Sequence, residues 1–425
     1  MNRFAPAFVA ALIVLCGTAG ATSSPKAKPS PKAQPSPKAQ PSAKGSFRIG
    51  LLEPAMGPVA GEGADTDAGF RYFLATHGDR LGGFDVELRT GDEGAASDQA
   101  LAVAHQLVEQ DAVDAIVGVL NSTDAYALAP YIDEQKKVLI VTGAGADGLT
   151  QQAPKTIFRV GHTSSQDVMP LGDYVCHRMR KRTAALVATD YSYGIEATGG
   201  FARAYTDAGC RVIQEIYSPR ENVDWASTVT KIDKSAQVVF AAVGGLDSVN
   251  FLAAYRSAGP NVTLAGDGIL TDERWLAVER DRATGVTTGL HYAATLNNAA
   301  NKAFRFGYES LTGHQVSQFV ENGYVAAQVL DAALGRMPPG AVKSDALVAA
   351  LRGAAVTAPR GPVRFDRYQQ AINNVYVRRV RQIGGRFRNE VIETFPNVSQ
   401  FWQYDAQRYL ALPTYARMKG AWSRP

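Results

Sequence analysis

The sequence predicts an α/β protein built of two similar halves in tandem, and three observations carry that prediction. Short apolar runs alternate with helical patterns along most of the chain, the signature of parallel βαβ units. The alternation occurs in two successive sets. A chain of 425 residues with 46% hydrophobic content can bury a large core, enough for two or three units.

The N-terminus stands apart from this pattern. Arg3 precedes an apolar run over 4–15, and Ala19, Gly20 and Ala21 supply the small residues that a signal peptidase needs. The run is too short to span a bilayer comfortably. Residues 1–21 therefore read as a secretory signal cleaved near Ala21. Cys16 follows Leu15, where a lipidated cysteine normally follows Gly, Ala or Ser, so a lipoprotein is not expected. Over 22–45 the chain repeats Ser-Pro-Lys-Ala units with almost nothing that can pack, which predicts an extended, solvated linker. Setting aside Arg3 and the five lysines of this stretch leaves 38 basic against 40 acidic residues, so the body carries about −2 rather than the +4 of the whole chain. The basic balance belongs to the tail, which removes the argument for a nucleic-acid partner.

Past the tail, strands are expected at 47–52, 85–89, 115–119 and 138–142, with helices at 97–110 and 125–135 between them. A second set follows, with strands at 184–189, 210–217, 238–243 and 263–266 and helices at 166–179, 194–208 and 248–258. Breaks in the pattern fall near 161–165, 293–298 and 358–362. Cys176 and Cys210 sit next to different strands of the second half; an exported protein permits a disulfide between them, and two buried free thiols are the other option. From 390 to 420 the chain turns aromatic, with Phe395, Phe401, Trp402, Tyr404, Tyr409 and Tyr415, a composition suited to clamping a C-terminus onto a lobe.

In folds of parallel βαβ units, function lies at the carboxyl ends of the strands. RIGLLEPAMGPVAGEG (48–63) runs from a strand through a Gly/Pro loop into a helix; GVLNST (118–123) opens the next helix, VTGAGAD (141–147) is a small-residue loop, and TDYSYG (189–194) and AGDG (265–268) follow strands of the second half. Helix N-termini there hold carboxylates well, because their N–H groups are unpaired. The bland readings are helix caps at Ser122 and Thr123, a turn that needs small residues at 143–146, packing at Tyr193 and a solvated turn at Asp267.

Together these five motifs resemble the leucine/isoleucine/valine-binding family of periplasmic solute-binding proteins, over roughly residue 47 to the last turns of the chain. The resemblance implies two Rossmann-like lobes with parallel central sheets, joined by three crossing hinge strands. Lobe one would be 47–164 plus 296–358, lobe two 165–295 plus 359–395, and 396–425 a C-terminal extension. It implies a periplasmic protein that closes on a small amino acid or related carboxylate and delivers it to the membrane permease of an ABC importer, as a monomer, without a cofactor. Aromatic or aliphatic carboxylates are the alternative ligands within that class, and a sensor acting on a receptor is the alternative role.

Carried onto this sequence, the ligand-binding hydroxyl falls at Ser122 or Thr123. Ala144, Gly145 and Ala146 supply main-chain groups, with Ala146 standing where the family has a hydroxyl. Tyr193 closes over the ligand, and Asp267, followed by Gly268, pairs with its ammonium group. Glu62 and Leu246 stand where the family has aromatic residues, so the side-chain pocket is expected to differ, and Glu62 with Asp267 favours a ligand bearing a positive or donor-rich group. An enzyme is the competing class. The six histidines show no metal-ligand spacing, and neither a GxSxG motif nor a phosphate-binding loop is present, so no catalytic function is expected.

Overall fold

The computed structural model describes residues 43–424, apart from 95 and 223. The secretory signal, Cys16 and most of the Pro/Lys stretch lie outside these residues. Lys44, the last lysine of that stretch, is described: its Nζ donates to the carbonyls of Gly335 (3.0 Å) and Met337 (3.0 Å). It thereby satisfies backbone acceptors at the end of the helix Gln318–Gly335 rather than standing in solvent.

The first six strands are β1 (Ser46–Glu53), β2 (Arg80–Leu81), β3 (Phe84–Asp92), β4 (Ala115–Gly118), β5 (Val138–Val141) and β6 (Ile157–Arg159). They form one sheet in the order β2-β3-β1-β4-β5-β6, parallel except for the short hairpin strand β2. Strands β4 and β5 are buried residue by residue, as continuous apolar runs covered on both faces must be. The remaining strands are β7 (Thr183–Thr189), β8 (Arg211–Ser218), β9 (Val238–Ala242), β10 (Thr263–Asp267), β11 (Thr287–Leu290), β12 (Ala355–Ala358), β13 (Gly361–Phe365), β14 (Ala371–Ile383) and β15 (Arg386–Val398). Here β8-β7-β9-β10-β11 are parallel, and β14 joins the edge of β11 antiparallel.

The centres of both sheets are parallel, as expected, and antiparallel strands at their edges make the sheets mixed. The antiparallel part comes from the long hairpin β14–β15, thirteen residues a side, turned at Gly384 and Gly385, whose φ values of 58° and 78° lie in the left-handed region open to glycine. Buried apolar clusters trace the chain between sheets. Val363, Phe365 and Ala371 share the core of Phe47 and Phe158, whereas Val377 packs with Leu171 and Phe201. The chain thus passes from one core to the other along β14.

Cys176 and Cys210 form a disulfide, with Cα atoms 6.0 Å apart, so the pairing left open by the sequence is present. The C-terminal aromatic residues pack on the second sheet's helices: Phe401, Tyr409 and Tyr415 cluster with Met169, and the Arg203 guanidinium lies over the rings of Tyr409, Tyr415 and Trp422. No helix among the described residues is long and apolar enough to cross a membrane.

Candidate functional site

In each sheet the strand order reverses direction beside one central strand, β1 in the first and β7 in the second. Loops leaving the strands on either side of such a point diverge and open a crevice at the carboxyl ends. A cavity of about 360 Å³ lies there. Pro58, Val59 and Glu62 reach it from the loop and helix after β1, Leu120 and Asn121 from β4, and Gly143 from β5; Tyr191 and Tyr193 follow β7, Arg220 follows β8, Leu246 follows β9, and Asp272 and Trp275 follow β10. Both sheets therefore wall it.

Cross-lobe contacts hold this arrangement shut. Arg274 Nη1 donates to Asp65 Oδ1 at 2.7 Å, Trp275 Nε1 to Glu62 Oε1 at 2.9 Å, and the Tyr126 hydroxyl to Glu196 Oε1 at 3.2 Å. In each pair one partner belongs to an element of the first sheet and the other to an element of the second.

Of the ten residues singled out from sequence, Glu62, Tyr193 and Leu246 line the cavity. Asp267 lies behind this wall, beside Tyr193, fully buried at the end of β10. Its Oδ1 accepts from the Leu270 amide (3.2 Å) and the Tyr193 hydroxyl lies within reach of the carboxyl, but burial outweighs both and pushes the carboxyl up to about 8. Gly268, one residue on, does not line the cavity; a Cβ there would meet the Leu290 side chain.

Ser122 and Thr123 open the helix Ser122–Glu134 but do not line the cavity; Ser122 is buried and Thr123 exposed. Three amides at this helix start are already used. Glu93 accepts from the amides of Leu120 and Asn121, both at 2.8 Å, and the Asn121 side chain caps the amide of Thr123 at 2.9 Å. Ala144 and Ala146 are buried and their carbonyls accept from Arg159 Nη1 at 2.9 and 2.8 Å, so these acceptors too are internal. Gly145 has a packing reason of its own. A Cβ there would stand 2.8 Å from Ser164 Oγ and 2.9 Å from Tyr193 Cδ2, so only glycine lets the Tyr193 ring lie this close.

Several residues of the cleft carried no sequence signal. Asp272 caps the helix Glu273–Glu279 through Oδ1, accepting from the Arg274 amide at 3.0 Å, while Oδ2 is buried without a partner. Trp275 and Arg220 lie in segments that the strand pattern leaves unmarked; Arg220 stacks over the Tyr191 ring, 5.1 Å from its centre. An aromatic next to an acidic cap, as in Thr271-Asp272-Glu273-Arg274-Trp275, is the one local cue that points to this part of the chain.

His162 lines the cavity and leads to a buried group at the passage between the lobes. Its Nε2 faces the Tyr193 hydroxyl at 3.4 Å, and its Nδ1 is 3.8 Å from Asp167 Oδ2, which also meets His291 Nδ1 at 2.9 Å. Ligand atoms of these three residues all lie within 4.8 Å of one another, the one such trio of possible metal ligands among the described residues. Burial pushes His162 down to about 3 and His291 well below its ordinary value, so both imidazoles are neutral at pH 7. The scattered histidines of the sequence are thus partly convergent in space.

Two lobes of α/β structure, closing a solute-sized cavity at the carboxyl ends of both parallel sheets, define a two-lobed binding protein. Residues 46–385 match the family model of the periplasmic binding proteins, and the chain belongs to that family. A curated relative, Leu/Ile/Val-binding protein homolog 6 of Brucella melitensis, is 29% identical over 364 residues, covering 82% of this chain and 91% of that protein. Among solved structures, a solute-binding protein of an ABC transporter from Rhodopseudomonas palustris, in complex with 3,4-dihydroxybenzoic acid, superposes with a TM-score of 0.79 at 27% identity, covering 84% of this chain and 99% of that one. A leucine-binding protein from Thermotoga maritima, 18% identical, shares the fold with a TM-score of 0.73 over 82% of this chain and 99% of that one.

Proposed function

We propose that the protein captures a small amino acid or related carboxylate between its lobes in the periplasm and hands it to the membrane permease of an ABC importer. It works as a monomer, after loss of a signal peptide near Ala21. The observation that carries this reading is the cavity of about 360 Å³, walled by both lobes and bridged across them by Arg274–Asp65, Trp275–Glu62 and Tyr126–Glu196. A solute that touches both walls binds the closed form better than the open one, and that difference drives closure. The permease then reads the closed state.

A second reading keeps the role and changes the solute to an aromatic carboxylate. Tyr191, Tyr193, Trp275 and Phe319 all line the cavity and offer flat apolar faces, and the Rhodopseudomonas palustris relative holds 3,4-dihydroxybenzoic acid. Thermal unfolding against panels of amino acids and aromatic acids separates the two. A solute at one hundred times its dissociation constant adds about 2.7 kcal/mol of stability, a plain rise in melting temperature. A shift with amino acids alone supports the first reading, a shift with aromatic acids alone the second, and no shift with any small molecule overturns both.

A further inference from the structure

We propose that the solute of this cleft is a small organic cation, whose ammonium or guanidinium group seats at an acidic wall made by Glu62 of one lobe and Asp272 of the other. This deepens the solute-binding reading and rests on it.

Among the described residues, four carboxyl side chains line the cavity, Glu62, Glu221, Asp247 and Asp272, against one guanidinium, that of Arg220. Two of the four are buried: Glu62 is 3% exposed and Asp272 1%. Each spends one oxygen on the protein, Glu62 on the Trp275 indole and Asp272 on the Arg274 amide. Each leaves its second oxygen, Glu62 Oε2 and Asp272 Oδ2, without any partner. Both oxygens are buried in this arrangement, and a carboxyl oxygen left unpaired there costs free energy that a donor reaching it by a turn of either side chain recovers. Burial first, and then neighbouring carboxylates that include Glu62, raise the proton affinity of Asp272, and at Glu62 burial outweighs the nearby Arg274 guanidinium, so a further positive charge placed between the two relieves both.

The rest of the wall fits an organic cation better than an anion. Arg220 is already stacked on Tyr191, and the amides of Leu120 and Asn121 are held by Glu93. Those amides are the donors a carboxylate would seek, and the protein has supplied its own. Arg220 and Arg274 already lie over the rings of Tyr191 and Trp275, which shows that these rings suit a cation, and Tyr193 adds a further aromatic face to the wall, which a bare metal ion would not need. Carboxylates paired to a guanidinium or ammonium form the stronger, charge-assisted hydrogen bonds.

The test is titration calorimetry on the purified protein, freed of carried-over solute by unfolding and refolding, with arginine, lysine, a four-carbon diamine, leucine, 3,4-dihydroxybenzoate and calcium chloride as probes. At least one of the three organic cations binds ten times or more tightly than leucine and 3,4-dihydroxybenzoate. Glu62→Gln and Asp272→Asn each weaken that binding tenfold or more. The amide introduced by Glu62→Gln can still accept from Trp275, so the ligand-free melting temperature of that variant does not fall, which separates lost recognition from lost folding. Tightest binding of leucine or of 3,4-dihydroxybenzoate, with Glu62→Gln binding as the parent does, overturns the inference and leaves the solute-binding reading standing. Binding of calcium alone, lost in both variants, overturns it in favour of a metal site. Silence toward every probe overturns the inference, and the solute-binding reading falls with it only when the wider panels of amino acids and aromatic acids are silent too.

Discussion

Replacing Asp267 by Asn removes a charge that the fold holds back at neutral pH. The carboxyl is fully buried, accepts one amide hydrogen bond from Leu270 and lies beside Tyr193. Burial is the first cause of its rise to about 8, against about 3.9 in an unfolded chain. The folded state therefore binds the proton more tightly than the unfolded one. Its contribution to stability is complete below about pH 4 and is lost as pH climbs through 8, at up to about 1.4 kcal/mol per pH unit. Between pH 5 and 9 the parent should lose up to about 4 kcal/mol from this group alone. The amide of the Asp267→Asn variant keeps the acceptor for Leu270 and cannot ionise, so the variant escapes that loss.

The assay is urea unfolding of the solute-free protein at pH 5, 7 and 9, read as the difference between Asp267→Asn and parent. Glu93, Glu196 and Glu279 are also pushed up to about 8, but they cancel in the difference. The stability advantage of the variant should grow steadily with pH. Parallel profiles, within about half a kcal/mol, would refute the argument, because they would mean that Asp267 is ionised and paired in the folded state.

Two further outcomes follow from the same geometry. Replacing Cys176 and Cys210 together by Ala opens a link across 34 residues of sequence, which should cost about 3–4 kcal/mol by loop-closure entropy; urea midpoints with and without reductant measure it, and a reductant-insensitive parent would deny the cross-link. Gly145→Ala places a Cβ 2.8 Å from Ser164 Oγ and 2.9 Å from Tyr193 Cδ2. Displacing that ring should destabilise the closed form by about 1–3 kcal/mol and weaken solute binding in proportion, read as a change in dissociation constant with the far-ultraviolet spectrum unchanged.

Most of the fold was legible because its signals are local. An apolar run of four to eight residues followed by a 3.6-residue period reads as strand and helix wherever it occurs, and the expected strands at 115–119, 138–142 and 238–243 lie within a residue of β4, β5 and β9. The hairpin β14–β15 escaped because strands buried in part alternate weakly, and nothing before them marks an antiparallel return. At the site, Glu62, Tyr193 and Leu246 were legible as departures or matches at motif positions. Ser122, Thr123, Ala144, Ala146 and Gly268 carry small or hydroxyl groups at strand ends, and such residues look alike in sequence whether they face a solute or the protein. Here Arg159 takes the carbonyls of Ala144 and Ala146, and Glu93 takes the amides of Leu120 and Asn121 just before Ser122.

By itself, the order of residues determined two α/β lobes, their loops at the strand ends, and membership in a family of binding proteins, since hydrophobic period and turn chemistry act over a few residues at a time. Only the tertiary structure decided which loops converge. Glu62 and Trp275 are 213 residues apart in sequence, and Asp272 lies on the same far segment as Trp275; no local pattern records that they share one cavity. The acidity of that cavity is a property of two lobes brought together, because the burial that raises the affinity of Glu62 and Asp272 for a proton comes from segments far apart in sequence.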